Sequence, residues 1–352
     1  MCVTRTNAIR SIVALMIGLV GVLCPGAGRA ADEPRQPVAI QFSLDRPIDA
    51  VAAPFVMAAT NGLFSAEGLA VTTNIASGSP DAIARVAAGT SDFALVDINA
   101  LVRYRDKDKQ GGPKIKAVFV LSNRAPYAII ARKSRGIGAL PDLQGKTLGV
   151  AEGDLSARLW PAVAKQNGIK LSSVKQSQLS AAVREPMLSA GQVDAVTGFS
   201  YLSAINLKDR GVPADDLVVL KFADYGCESY GFAIIVNPAF AAAKPEAVKA
   251  FIRAMVGGIQ LMIKEPTLAI AQVVGRMDGG SRELELERLR AILRDNLLTP
   301  EVRRNGLGGI DATRFEKSIE QLAEGFKFSK RPTAADIFDG SFLPPLNGRL
   351  IN

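Results

Sequence analysis

The sequence predicts an α/β protein of two lobes, each a mainly parallel sheet flanked by helices. Two observations lead there. One structural plan occurs twice in tandem, and its strands are apolar on both faces while the helices between them are amphipathic, the pattern of a parallel sheet covered by helices. A length of 352 residues leaves room for two such units and a proper core.

The first copy runs over "NGLFSAEGLAVTTNIASGSPDAIARVAAGTSDFALVD" (61–97) and the second over "NGIKLSSVKQSQLSAAVREPMLSAGQVDAVTGF" (167–199). Each holds an Asn-Gly stop, a short β-type run, a Ser-containing turn, a helical segment ending in Ala-Gly, then Gly-x-x-Asp and an apolar strand. Upstream of the first copy stand a strand "VAIQFSL" (38–44) and a helix "AAPFVMAAT" (52–60). Upstream of the second stand "KTLGVAE" (146–152) and "SARLWPAVAKQ" (156–166). The order is thus β-α-β-α-β twice. Gly89 and Gly191 read as helix stops needing positive φ, and Asp92 and Asp194 as turn formers rather than catalysts.

After "YGFAIIVNPAF" (230–240) the chain turns helical. "KPEAVKAFIRAMVGGIQLMIK" opens with Pro in its first turn and keeps apolar positions at helical spacing, with Met255 and Met262 as core fillers. "SRELELERLRAILRDNLL" and "DATRFEKSIEQLAEGF" follow the same pattern, and all three read as a shell completing the lobes.

At the N-terminus, Arg5 and Arg10 precede an apolar run and the small pair Gly28 and Ala30, the order of a secretory signal cleaved after about Ala30. An uncleaved anchor is the alternative, on a run only marginally long enough to span a membrane. Cys24 follows Leu23, where a lipid-attachment signal wants a small residue. Removing residues 1–30 takes Arg5, Arg10 and Arg29 from the formal +8, leaving 8 − 3 = +5. It also leaves Cys227 as a lone thiol, so no internal disulfide forms and stability rests on the core. Periplasmic export fits this best.

The absence of histidine removes Ser-His-Asp, Cys-His and His-based zinc chemistry together. No block of basic residues with interleaved aromatics marks a nucleic-acid surface, and "RYRDKDKQGGPKIK" (103–116) reads as a solvated loop. "SGSPD" (77–81) lacks the spacing of a nucleotide phosphate loop. Cys227 has no basic neighbour nearer in sequence than Lys221 and reads as unactivated. No catalytic group, metal site or cofactor is expected.

The ordered series "GLFSAEGLAV", "VAAGTSDFALVD", "PYAIIARKSRGIGALPDLQGKTLGV", "AGQVDAVTGF", "ADYGCESYGFAIIVN", "PEAVKAFIRAM" and "DIFDGSFLPP" resembles the periplasmic substrate-binding proteins of ABC importers. Within these it is similar to the group that includes nitrate, sulfonate and thiamine-pyrimidine-precursor receptors. The likeness spans nearly the whole chain after the signal. It implies the two-lobed periplasmic binding protein fold, closing over a ligand and delivering it to an ABC permease in the inner membrane, and a monomer with no nucleic-acid partner. It also implies two hinge crossings, at "RAPYAII" (124–130) and "ESYGFAII" (228–235), with Pro126, Tyr127, Tyr230 and Gly231 absorbing closure. Lobe one would then be 37–126 with 232–352, and lobe two 127–231.

Ligands of open α/β sheets bind beyond the carboxyl ends of the strands, where helix N-termini also point. That rule selects Asp45 and Arg46 after the first strand, Ser79 at a helix start, and Asp97 and Asn99 after the third strand. Asp154, Ser156 and Arg158 follow in lobe two, with Arg158 a forked donor to a carboxylate, sulfonate or carbonyl. Ser79, Asp154 and Ser156 fit equally well as ordinary helix caps. Phe199, Tyr201, Tyr225 and Tyr230 lie in loops of the cleft or hinge and suit a planar ligand whose N–H groups Glu228 would read. Trp160 reads as core.

These residues lean to a planar heteroaromatic or aromatic acid as ligand. A sulfonate or nitrate receptor is the alternative, although "LSAR" at 155–158 departs from the small-residue and His pattern of sulfonate receptors. A pyrimidine synthase on the same fold donates a histidine from its own chain, which this sequence lacks. A sensory module is the remaining reading, and nothing in the chain encodes a signalling domain.

Overall fold

Two five-stranded sheets organise the chain in the computed structural model, which describes residues 36–107 and 111–351. The export signal expected over 1–30 lies outside the described residues. The strands are β1 (Val38–Leu44), β2 (Leu69–Ile75), β3 (Phe93–Asp97), β4 (Lys116–Val120), β5 (Tyr127–Arg132), β6 (Thr147–Ala151), β7 (Lys175–Leu179), β8 (Ala195–Phe199), β9 (Leu217–Lys221) and β10 (Phe232–Val236). The first sheet has the order β2-β1-β3-β10-β4 and the second β7-β6-β8-β5-β9.

The duplication is therefore a duplication of sheets. In each, the first three positions form the parallel β-α-β-α-β unit read from the sequence: β1 pairs parallel with β2 and β3, and β6 with β7 and β8. The fourth position belongs in each case to the strand arriving from the other sheet, β10 or β5. It runs antiparallel to both neighbours. Each sheet is accordingly half parallel and half antiparallel, because a chain that re-enters from the opposite lobe comes in running the other way.

The two Gly-x-x-Asp elements do the same work in both sheets. Gly89 and Gly191 have φ of 74° and 72°, which residues with a Cβ rarely adopt. Asp92 exchanges two bonds with Gln41, its N–H donating to the Gln41 carbonyl at 2.9 Å and its carboxylate accepting from the Gln41 N–H at 2.8 Å. Asp194 repeats both bonds on Thr147, at 2.9 and 2.8 Å. Both aspartates tie a loop to the first strand of their sheet.

Beneath the first sheet, Phe42, Phe55, Phe64, Phe93 and Phe251 form one aromatic cluster, with Phe93 and Phe251 stacked at 4.4 Å. The helix Pro245–Lys264 reaches this cluster because Gly258 lets it lie against the helix Ala53–Thr60. A Cβ on Gly258 would stand 2.2 Å from the Pro54 carbonyl oxygen. Met255 and Met262 are buried there, and Trp160 is fully buried in the neighbouring cluster, as the sequence indicated. "SRELELERLRAILRDNLL" is less regular than expected, since the helix Arg282–Ala291 gives way to a π-helical turn over Ile292–Leu297.

The chain passes between sheets over 121–126 and 222–231, and the helix Ala312–Phe326 lies across both passages. Sequence order groups this helix with lobe one. Its packing is shared: it lies along the helix Leu155–Gln166 of the second sheet and also against Ile98–Lys107 of the first. Phe315, Ile319 and Leu322 give it one buried apolar face. Arg314 anchors its start, donating to the carbonyl oxygens of Asn123 at 2.7 Å and Glu228 at 3.1 Å and to the Glu301 carboxylate at 2.8 Å. At its other end Gly325 is required, because a Cβ there would stand 2.0 Å from the Arg158 carbonyl oxygen.

Candidate functional site

A cleft of about 750 Å³ opens where the carboxyl ends of β1, β3, β6 and β8 face each other. Groups from both sheets line it, together with the end of the hinge-spanning helix. Its first-sheet wall begins with Asp45, held by a bidentate pair with Arg46 at 2.8 and 3.1 Å. The Ser79 hydroxyl donates to Asp45 Oδ2 at 2.6 Å and accepts the Asp97 N–H at 3.0 Å. Strand ends β1 and β3 are thus joined through one helix-start serine. Both polar functions of that hydroxyl are engaged inside the lobe.

Asp97 continues the chain into the hinge. Tyr127 donates to its Oδ2 at 2.5 Å, and the Asn99 backbone and side-chain N–H groups donate to Oδ1 at 2.9 and 3.0 Å. Burial pushes the Asp97 carboxyl up to about 6, the desolvation outweighing these donors. Arg46 reaches across the lobes, donating to the Tyr201 hydroxyl at 3.3 Å and lying over the Phe232 ring at 4.3 Å. Burial opposes its charge, but Tyr201 and Asp45 outweigh that, and the guanidinium pKa is raised.

The second-sheet wall is built alike. Asp154 caps the helix Leu155–Gln166 through the Ser156 N–H at 2.8 Å, and its other oxygen accepts from Arg184 at 2.6 Å and Thr197 at 2.7 Å. Each lobe therefore places a carboxylate after its first strand and neutralises it with an arginine.

Seven of the thirteen residues singled out in the sequence line this cleft: Asp45, Arg46, Ser79, Asp97, Asp154, Arg158 and Phe199. The other six lie elsewhere. Asn99 is buried and donates to the Tyr127 hydroxyl and the Tyr230 carbonyl, at 2.8 and 2.7 Å. Ser156 is buried and donates to the Gly198 carbonyl at 3.1 Å. Tyr201 sits behind Arg46, 1% exposed. Tyr230 donates to Glu301 at 2.7 Å and accepts from the Asp311 N–H at 2.8 Å, inside the hinge. Tyr225 ends a short 3-10 turn beside Asn167. The Glu228 carboxylate is engaged by Arg314 and Lys317 at 3.4 and 3.3 Å. Cys227 is buried as well, and burial pushes its thiol pKa up.

Three cleft groups fall in a stretch that charge alone presents as loop. Arg103 to Lys107 is the last part of the helix Ile98–Lys107, and Ala100, Arg103, Tyr104 and Lys107 all face the cleft. Their spacing of i, i+3, i+4 and i+7 is one helical face, legible once the helix is started at the end of β3. Glu152, Arg184 and Phe326 complete the polar and aromatic lining that the sequence did not single out. Among the described residues no cluster of metal-ligating side chains occurs, and no helix is long and apolar enough to cross a membrane.

Known proteins share this fold. The periplasmic aliphatic sulphonate binding protein SsuA of Escherichia coli superposes with a TM-score of 0.69, covering 85% of this chain and 91% of that one at 14% identity, and so shares the periplasmic binding protein fold. The chain is 24% identical over 307 residues to the riboflavin-binding protein RibY of Chloroflexus aurantiacus, covering 83% of this chain and 82% of that one. It is 24% identical over 333 residues to the formylaminopyrimidine-binding protein of Halalkalibacterium halodurans, covering 92% and 96%. A 4-amino-5-hydroxymethyl-2-methylpyrimidine phosphate synthase of Schizosaccharomyces pombe is 24% identical over 221 residues, covering 60% of this chain and 62% of that one. Residues 49–269 match the family described as NMT1/THI5 like, and the chain belongs to that family.

Proposed function

We propose that this chain is an extracytoplasmic solute receptor that captures a small organic molecule between its lobes and delivers it to an ABC permease in the inner membrane. The observation that carries the reading is the cleft itself. A volume of about 750 Å³, lined from both sheets beside two chain crossings, is of the size that encloses a small ligand on closure. Two of the curated relatives are named for binding ring compounds, riboflavin and formylaminopyrimidine. A planar heteroaromatic or aromatic acid is the ligand class this favours. Arg46, Arg103 and Arg184 already carry carboxylate partners, which argues against a small inorganic anion as the sole occupant.

Capture without turnover is part of the proposal. Two relatives are named as pyrimidine phosphate synthases, but this chain has no histidine, and its lone cysteine outside 1–30 is buried away from the cleft. The one cleft hydroxyl that meets a carboxylate, Ser79 on Asp45 among the described residues, also accepts the Asp97 N–H, so both its functions are spent on holding the strand ends together. The receptor acts as a monomer in the periplasm, with 37–126 and 232–352 closing on 127–231 and the helix Ala312–Phe326 spanning the hinge.

A thermal-shift screen over aromatic acids, pyrimidines, flavins, sulfonates and nitrate tests this. The expected result is a melting temperature that rises with ligand concentration as mass action requires. A response to none of these classes would contradict the reading.

A further inference from the structure

We propose that Phe326, framed by Arg103 and Arg158, contacts the ligand and that these three groups select a flat ring carrying a carboxylate. The inference rests on the receptor reading above and specifies which ligands that site accepts.

Phe326 is the last residue of the hinge-spanning helix, is half-buried, and lines the cleft between groups of the two sheets. Its position is fixed on both sides. Gly325 sits against the Arg158 carbonyl, and the Asp106 carboxylate accepts the N–H groups of Ser329 and Lys330 at 2.6 and 3.0 Å. The Phe328 ring lies parallel to it at 6.2 Å. A ring held this way loses little freedom when a second ring stacks on it.

Two guanidinium groups approach the ring, Arg103 at 5.0 Å from one sheet's helix and Arg158 at 5.9 Å from the other's. They differ in charge state of their surroundings. Arg103 is paired with Asp106 at 2.6 Å, just as Arg46 is paired with Asp45 and Arg184 with Asp154. Among the described residues, Arg158 has no ion-pair or hydrogen-bond partner for its guanidinium. Its planar fork matches the two oxygens of a carboxylate, and Phe326 supplies an apolar face beside it. An inorganic oxyanion would satisfy Arg158 but leave the apolar walls at Pro80, Ile83, Leu155 and Phe326 without a partner.

The test measures binding of matched acids and amides: benzoate with benzamide, nicotinate with nicotinamide, and 2-naphthoate with 2-naphthamide, with methanesulfonate and nitrate as ring-free anions. At least one acid is expected to bind about tenfold or more tightly than its amide, the scale of a charged hydrogen bond. Arg158→Gln should cost the acid far more affinity than the amide and so erase that preference, with the melting temperature of the free protein unchanged, since the side chain is exposed. Phe326→Leu should weaken acid and amide alike. Amides binding as well as acids, no acid binding, ring-free anions binding best, or an unchanged preference in Arg158→Gln would each overturn the proposal. Tight binding of uncharged rings would do so while leaving the receptor reading intact.

Discussion

Tyr127, at the start of the strand that enters the second sheet, donates its hydroxyl at 2.5 Å to Asp97, at the end of the third strand of the first sheet. One buried hydrogen bond thus joins the cleft floor to the hinge. Asp97 reaches Ser79 and Asp45 on one side and, through Asn99, the return crossing at Tyr230 on the other.

This bond has a signature in pH. The Asp97 carboxyl titrates near 6 in the fold, above its ordinary value of 3.8, because burial disfavours its charge. The folded state therefore binds more protons than the unfolded chain between those values. The resulting stability is full below about 4 and is lost as pH rises through 6. Asp49, also pushed up to about 6 by burial, acts in the same direction. Melting temperature should fall between pH 4.5 and 7. Asp97→Asn should flatten that fall in part, with Asp49 supplying the remainder, and Tyr127→Phe should move it to higher pH. A pH profile identical in Asp97→Asn and wild type would remove Asp97 as its source.

Gly325 and Gly257 make a paired comparison. An added methyl at Gly325 would meet the backbone carbonyl of Arg158 at 2.0 Å, which gives only if two helices part. At Gly257 it would meet the flexible end of Leu63 at 2.9 Å. Gly325→Ala should cost about 1–3 kcal/mol, while Gly257→Ala should be close to neutral because a better helix former offsets a small adjustment. Chemical denaturation of both variants decides it. Equal stabilities would mean that the hinge-spanning helix is not packed tightly on Leu155–Gln166.

Arg314 ties that same helix to both crossings and lies 4.1 Å above the Tyr230 ring. A lysine keeps the charge but not the fork that reaches Asn123, Glu228 and Glu301 together. Arg314→Lys should therefore lose most of what Arg314→Ala loses, about 2–4 kcal/mol for breaking a largely buried network. Full rescue by lysine would show that charge alone matters there.

The duplicated β-α-β-α-β plan was legible because apolar strands, amphipathic helices and Gly-x-x-Asp repeat in order, and each has a local physical cause. Residues just past strand ends, such as Asp45 and Asp154, followed from the rule that ligands gather there. Alternation within those loops was not legible. Asn99 and Ser156 turn inward to satisfy buried backbone carbonyls, and Tyr201 and Tyr230 are buried with their hydroxyls bonded. Nor does an amphipathic helix declare its partner: the buried stripe of Phe315, Ile319 and Leu322 fits either lobe, so Phe326 reads as shell until its packing is seen. Arg103 and Lys107 were hidden by local charge density, which resembles a loop although their spacing is helical.

Capture without chemistry is the central claim, and ligand recovery tests it most directly. Protein saturated with a ligand found by thermal shift, freed of excess and then denatured, should release one unchanged molecule per chain by mass spectrometry, however long the incubation. A product of altered mass growing with time would contradict the account.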